Sequence, residues 1–196
     1  MLKMIWASMV YAFVTLLFTG ILYPFFVTFC AQMLFPYQAN GSFIKNDVGQ
    51  IIGSELIAQP FQNPAYFQPR PSAAGGGYDP TSSGGSNCGQ TSQKLFDRVS
   101  SDVARLQKEN PQAVGSIPVE LVTTSGSGLD PDLSPAGAEW QIPRIAAARG
   151  VSVERVKRVL DGALEQSQFW FLGGDPKVNV LKMNLALDNR FGASSK

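Results

Sequence analysis

Ser125 and Ser127 stand in Ser125-Gly126-Ser127-Gly128-Leu129-Asp130-Pro131, a small-residue loop of the kind that can present a hydroxyl nucleophile. The Gly-x-Ser-x-Gly elbow is not met, because the residue two before Ser127 is Ser125 and not Gly. The chain contains no His. That absence removes His-based triads, most zinc sites and the commonest general base near neutral pH. A serine hydrolase would have to rely on a Ser–Lys pair, and nothing in the sequence links Lys177 or Lys182 to these serines. The plainer reading is a turn in which Asp130 bonds its own backbone ahead of Pro131.

Two further loops have phosphate-cradling composition: Gly75-Gly76-Gly77 and Ser83-Gly84-Gly85-Ser86-Asn87. A Walker loop needs Gly-Lys-Ser/Thr opening a helix after a strand, and none is present. Ser83, Gly84, Gly85, Ser86 and Asn87 are therefore weak nucleotide candidates. Cys30 and Cys88 can pair in an oxidising compartment or remain free thiols. No metal-ligating constellation and no catalytic residue emerge, and the chain is expected to bind no cofactor of its own.

The elements that must position these residues begin with a charge-free block. Lys3 is the only charge before Lys45, and Met4 to Phe29 is almost wholly apolar. About 20 apolar residues cross the hydrocarbon layer, so residues 5–30 are predicted to form one transmembrane helix. The run is too long for a cleaved signal peptide, and Phe29 stands where a cleavage or lipidation site needs a small residue. Lys3 and the terminal amine precede the helix, which predicts a cytoplasmic N-terminus and an extracytoplasmic remainder. Gly20 and Pro24 bend or thin the helix toward its outer end, as a simple kink or as a face packed on another membrane protein. Trp6 and Tyr37 suit the two interfacial belts. The rest of the chain carries 15 basic and 15 acidic groups. That balance excludes a nucleic-acid face and a polybasic lipid patch.

Residues 1–34 are thus expected to form the tip and anchor, and residues 35–196 a single soluble domain with room for a core. Phe35 to Ser42 leaves the membrane through an Asn40-Gly41 turn. Val48 to Ala58 reads as a strand, and Phe61 to Arg70, broken by prolines, as extended coil with aromatic side chains turned inward. Residues 72–92 have linker composition, yet inside one domain such a stretch is more often a functional loop. Thr91 or Ser92 caps a helix bearing Leu95, Phe96, Val99, Val103 and Leu106 on one face. Pro118 to Thr123 reads as a short strand. Ser134 and Pro135 open a helix that Pro143 kinks or restarts and Gly150 ends. Ser152 opens another, with Val153, Val156, Val159, Leu160, Ala163 and Leu164 on one face. After Gly173-Gly174-Asp175-Pro176, Val178 to Leu181 reads as a strand and Leu181 to Asn189 as a last helix. The class is α+β.

Taken in order, several segments resemble the C subunit of the bacterial potassium-transporting Kdp ATPase: FPYQANGS (Phe35 to Ser42), GSELIAQ (Gly53 to Gln59), YFQPRPSA (Tyr66 to Ala73), SGGSN (Ser83 to Asn87), PVELVTTSGSGLDPDLSP (Pro118 to Pro135), QIPRIAAARG (Gln141 to Gly150) and VNVLKMNLALD (Val178 to Asp188). Gln68 departs from the His usual at that position. The resemblance implies an accessory subunit in the bacterial inner membrane, partnered by a channel-like K⁺-selecting subunit and a P-type ATPase subunit. The complex uses ATP, Mg²⁺ and K⁺. It further implies assembly and a chaperone-like effect on ATP use. Gly20, Pro24, Gln38, Asn40, Arg70, Asn87, Ser127 and Asp130 are the candidate subunit contacts.

Overall fold

The structure is a computed structural model that describes residues 1–46, 48–166 and 174–194. Contacts divide it into two units, Met1–Ser54 and Glu55–Lys196.

In the first unit, one apolar helical run extends over Leu2–Leu34 with none of its most apolar stretch buried. It comprises α1 (Leu2–Leu17), a π-helical turn (Phe18–Leu22) and α2 (Tyr23–Leu34). The 33 residues rise about 50 Å at 1.5 Å each, more than the ~30 Å hydrocarbon layer. The predicted irregularity at Gly20 and Pro24 takes the form of this π turn. Pro24 has no N–H, and the Tyr23 N–H reaches back to the Phe18 carbonyl, five residues away. A one-turn helix α3 (Pro36–Ala39) follows. The Asn40 amide donates to Gln32 Oε1 (3.2 Å) and to the Pro36 carbonyl (2.6 Å), tying the end of α2 to the next turn.

The expected strand from Val48 to Ala58 is shorter than its composition suggested. Only β2 (Ile51–Ser54) pairs, antiparallel to β1 (Phe43–Lys45), with a bulge between Ile44 and Lys45. The turn is held by Asn46, whose Oδ1 accepts from the Val48 and Gln50 N–H groups.

Among its described residues the second unit is built on four α-helices. They are α4 (Gln93–Glu109), α5 (Pro135–Arg149), α6 (Val153–Ala163) and α7 (Val180–Phe191). Local sequence explains their ends. Ser134 Oγ accepts from the Gly137 N–H (3.1 Å), Pro135 needs no N–H partner at the first position, and Gly150 closes α5 in the left-handed conformation (φ +62°). Helix α5 continues through Pro143 as one span. Asn179 Oδ1 caps α7 by accepting from the Lys182 N–H.

Val156, Val159 and Leu160 of α6 meet Ile142, Ile145, Met183 and Leu187 in one core. Burying each such side chain contributes about 1.5–3 kcal/mol. On α4 only Leu106 is buried. Val99 and Val103 pack against the core partway, whereas Phe96, placed by periodicity on the inner face, is 67 % exposed.

Two expected strands are corrected. Pro118 to Thr123 contains a 3₁₀ turn (Val119–Leu121), since among the described residues no neighbouring strand offers its β-branched residues a ladder. The predicted strand at 178–181 shrinks to β4 (Val178–Asn179), antiparallel to β3 (Asp132–Leu133), and Val180 already begins α7. Gly173 of the turn before it lies outside the described residues.

Between these elements runs the proline-broken segment Pro60 to Pro71, without regular structure. Its carbonyls are taken one after another by helix side chains. Pro64 and Tyr66 accept from the Arg144 guanidinium (2.7 and 3.1 Å) and Ala65 from Arg149 Nε (2.8 Å). Phe67 accepts from Asn184 Nδ2 (2.9 Å) and Gln68 from Gln141 Nε2 (3.0 Å). The Phe67 and Gln68 N–H groups return bonds to the same Asn184 and Gln141 amides. Phe67 is 1 % exposed, Gln141 and Asn184 2 %.

Asn184→Leu removes both partners of the buried Phe67 peptide groups and should cost about 2–5 kcal/mol. Lys157→Ala, which loses only an exposed pair with Glu139, should cost under ~0.5 kcal/mol. Urea unfolding of the two variants, followed by circular dichroism, measures the contrast.

Candidate functional site

The loops singled out by composition converge in the second unit. The Ser125–Asp130 turn and the Ser83–Asn87 loop are directly bonded. The Gly84 N–H and Ser83 Oγ both donate to the Ser127 carbonyl (2.8 and 3.0 Å), and Thr124 Oγ1 donates to Ser86 Oγ (3.2 Å). Two glycines make this closeness possible. A Cβ on Gly128 (φ +69°) would stand 2.6 Å from the Gly84 carbonyl and 2.8 Å from the Ala74 nitrogen. One on Gly85 would press on the Ser125 and Gly126 carbonyls at 3.2–3.3 Å.

Arg70 closes the other side. Its Nη1 lies 3.2 Å from Asp130 Oδ2 and its Nη2 donates to the Thr124 carbonyl (3.3 Å). Asp130 Oδ1 accepts from the Asp132 N–H (3.1 Å), the local bond expected ahead of Pro131. Arg70, the Ser83–Asn87 loop, Ser127 and Asp130 therefore share one surface region. Gly20, Pro24, Gln38 and Asn40 belong to the other unit.

The chemistry of this region is that of a braced loop. Ser125 Oγ accepts from the Gly128 N–H (2.9 Å), Ser127 Oγ accepts from the Leu129 N–H (3.1 Å), and the two hydroxyls are 3.3 Å apart. These bonds hold a turn. The Gly84 N–H, a donor that a phosphate cradle would use, is taken by Ser127. Cys30 and Cys88 are both free thiols.

Residues 72–92 are a folded loop. Ser72 Oγ accepts from the Ala74 and Tyr78 N–H groups, and the Tyr78 hydroxyl donates to the Arg70 carbonyl (2.8 Å). Burial raises the Tyr78 hydroxyl to about 12, against a minor opposing pull from Arg105. Beside it, Phe61, Gln68, Tyr78, Arg105 and Glu109 line a groove of about 350 Å³. Gln68 Oε1 faces Arg105 Nη1 there at 3.5 Å, so the side chain at 68 brings no titrating group.

The residues that fix the Arg70 segment in place fall within the family-resembling segments Gln141 to Gly150 and Val178 to Asp188, but neither periodicity nor motif gave them a role. Gln141 and Arg144 lie three apart on α5, and Asn184 and Asp188 four apart on α7, so each pair shares a helix face. Asp188 accepts from the Tyr66 hydroxyl and from Arg149, whose guanidinium also lies 4.8 Å from the Tyr66 ring centre. Burial draws Arg144 down to about 10, opposed by Glu109, so it stays charged at neutral pH. The signal was available: polar residues recurring within otherwise apolar helix faces.

The chain thus falls in the class of proteins that join one apolar helix long enough to cross a membrane to a small α+β unit, in which Gln141, Arg144 and Asn184 are committed to the unit's own backbone. Comparison with known sequences narrows the class. Residues 5–189 match the family described as KdpC, K⁺-transporting ATPase, c chain. A protein of Myxococcus xanthus named potassium-transporting ATPase KdpC subunit is 56 % identical over 179 residues, covering 91 % of this chain and 84 % of its own. Proteins of the same name from Caulobacter sp. strain K31 (51 %, covering 89 % and 87 %) and Rhodospirillum rubrum (50 %, covering 94 % of both) are also similar. The chain belongs to the KdpC family, the accessory c chain of K⁺-transporting ATPases.

Two outcomes follow from the loop geometry. Gly128→Ala should destabilise the second unit by about 2–3 kcal/mol and open residues 72–92 to proteases, whereas Gly126→Ala, with nothing within 4 Å, should be close to neutral. The second concerns pH. With Tyr78 raised from 10.0 to about 12, the unfolded chain loses this proton first. The stability Tyr78 contributes is therefore intact below pH 10 and lost as the pH climbs to 12, on the order of 2–3 kcal/mol. Tyr78→Phe should flatten that part of the profile in urea midpoints taken at successive pH values.

Proposed function

We propose that this chain is a non-catalytic assembly and regulatory subunit of an ATP-driven potassium import complex in the bacterial inner membrane. The observation that carries the reading is the family match over residues 5–189, which takes in the anchor helix as well as the soluble part. Its partners are a channel-like K⁺-selecting subunit and a P-type ATPase subunit, and ATP, Mg²⁺ and K⁺ are used by the complex. The N-terminus faces the cytoplasm, since Lys3 and the terminal amine precede the helix and no Lys or Arg follows until Lys45. The second unit is then extracytoplasmic, at the K⁺ entrance of the channel-like subunit.

This topology bears on the chaperone-like effect on ATP use. A domain outside the membrane does not meet cytoplasmic ATP, so the effect is transmitted through the assembled complex as a coupling free energy. Commitment of the Gly84 N–H to Ser127 supports that reading over nucleotide contact at Ser83–Asn87. The same brace, with Arg70, Asn87, Ser127 and Asp130, offers a preformed surface for the channel-like subunit, and Gly20, Pro24, Gln38 and Asn40 serve contacts in and just beyond the membrane.

Deleting the gene in cells that depend on high-affinity uptake should abolish growth at low K⁺; normal growth would overturn the reading. A chain truncated to begin at Gln38 should fold, by circular dichroism, yet fail to bring down the two large subunits in mild detergent.

A further inference from the structure

The π turn leaves a backbone acceptor without a donor inside the apolar helix. An α-helical carbonyl accepts from the N–H four residues on, and a π-helical one from the N–H five residues on. For Gly20 the residue four on is Pro24, which has no N–H, and the residue five on, Phe25, supplies the available donor. For Thr19 the residue five on is again Pro24, and the residue four on, Tyr23, sends its N–H to the Phe18 carbonyl. The Thr19 hydroxyl does not compensate, because it donates to the Thr15 carbonyl (2.8 Å). Thr19 and Gly20 are both exposed. Nothing but the Leu16 side chain comes within 4 Å of a Cβ placed on Gly20. Water is scarce at this depth, and each unsatisfied peptide group there costs several kcal/mol.

We infer that the carbonyl of Thr19 is an acceptor for a hydroxyl or amide side chain on a neighbouring transmembrane helix of the same complex. The inference rests on the proposed role as a subunit of a membrane complex and names the chemistry of that contact. The missing side chain at Gly20 lets the partner approach the backbone, and Pro24 keeps the acceptor free. The anchor thereby carries a polar address in a stretch that is otherwise apolar. Ser, Thr, Asn or Gln on the partner satisfies it, whereas a purely apolar helix leaves it unmet.

Cys30 provides the means of testing this. A synthetic segment of residues 1–29 carrying a ¹³C=¹⁸O label at Thr19 can be ligated at Cys30 to recombinant residues 30–196, giving the full chain with one infrared-resolved carbonyl. In phosphatidylethanolamine–phosphatidylglycerol vesicles the chain alone should show this band at the frequency of a free carbonyl. In the reconstituted complex the band should shift to lower frequency. A band already at the bonded frequency in the chain alone, or one unmoved on assembly, overturns the inference.

The second arm is Pro24→Ala, which restores the missing N–H without harming the helix. Its association with the large subunits in mild detergent should be roughly threefold to tenfold weaker than that of the unaltered chain; equal or tighter association overturns the inference. Failure of the unaltered chain to bring down those subunits overturns the subunit reading and this inference together. Normal association with an unmoved band overturns this inference alone.

Discussion

The second unit depends on how one stretch of irregular backbone is satisfied. Pro60, Pro64, Pro69 and Pro71 keep this stretch out of any sheet, yet it must enter the interior to deliver Phe67 to the core. A buried peptide group without a partner costs more than Phe67 returns. The solution is a row of side chains, Arg144, Arg149, Asn184 and Gln141, which take the carbonyls from Pro64 to Gln68 in succession. Two of these helix residues answer both edges of a peptide, as a neighbouring strand would. The small ladder of Asp132–Leu133 with Val178–Asn179 is therefore enough sheet for the unit.

Everything at the loop surface hangs from that clamp. Arg70 follows two residues after Gln68, and its position decides whether it reaches Asp130 and the Thr124 carbonyl. Tyr78 bonds back to the Arg70 carbonyl, and the Ser83–Asn87 loop closes on Ser127. A rigid surface is thus assembled from segments with almost no regular structure. Its stiffness comes from glycine-permitted contact between main chains and from short hydroxyl-capped turns. Such a surface suits recognition by a partner more than chemistry on a small molecule.

Much of this was legible in the sequence wherever the physics is local. Helices α5, α6 and α7 follow from Ser134 with Pro135, from Gly150, and from the spacing of Val156, Val159 and Leu160, because caps and periodicity act within a few residues. The errors fall where partners are distant. Pro118 to Thr123 has strand composition and no strand beside it, and Val178 pairs with Leu133 across 45 positions of chain. Phe96 satisfies the helical period yet lies beyond the reach of the core. The region joining Arg70, Ser83–Asn87, Ser127 and Asp130 was visible as separate motifs, but their convergence was not. The clamp escaped because Gln and Asn on a helix are ordinarily solvent-facing, and their burial becomes intelligible only once the backbone they hold is known.

The clamp also sets where this protein can drift. Because Gln141, Arg144 and Asn184 bind main-chain atoms, they are indifferent to the side chain at Gln68 so long as the backbone path is kept. Position 68 shows the consequence: a glutamine sits there with its peptide group fully held and its side chain turned toward Arg105. The side chain at 68 can be exchanged without renegotiating the fold, while a change at Gln141, Arg144 or Asn184 is felt throughout the unit.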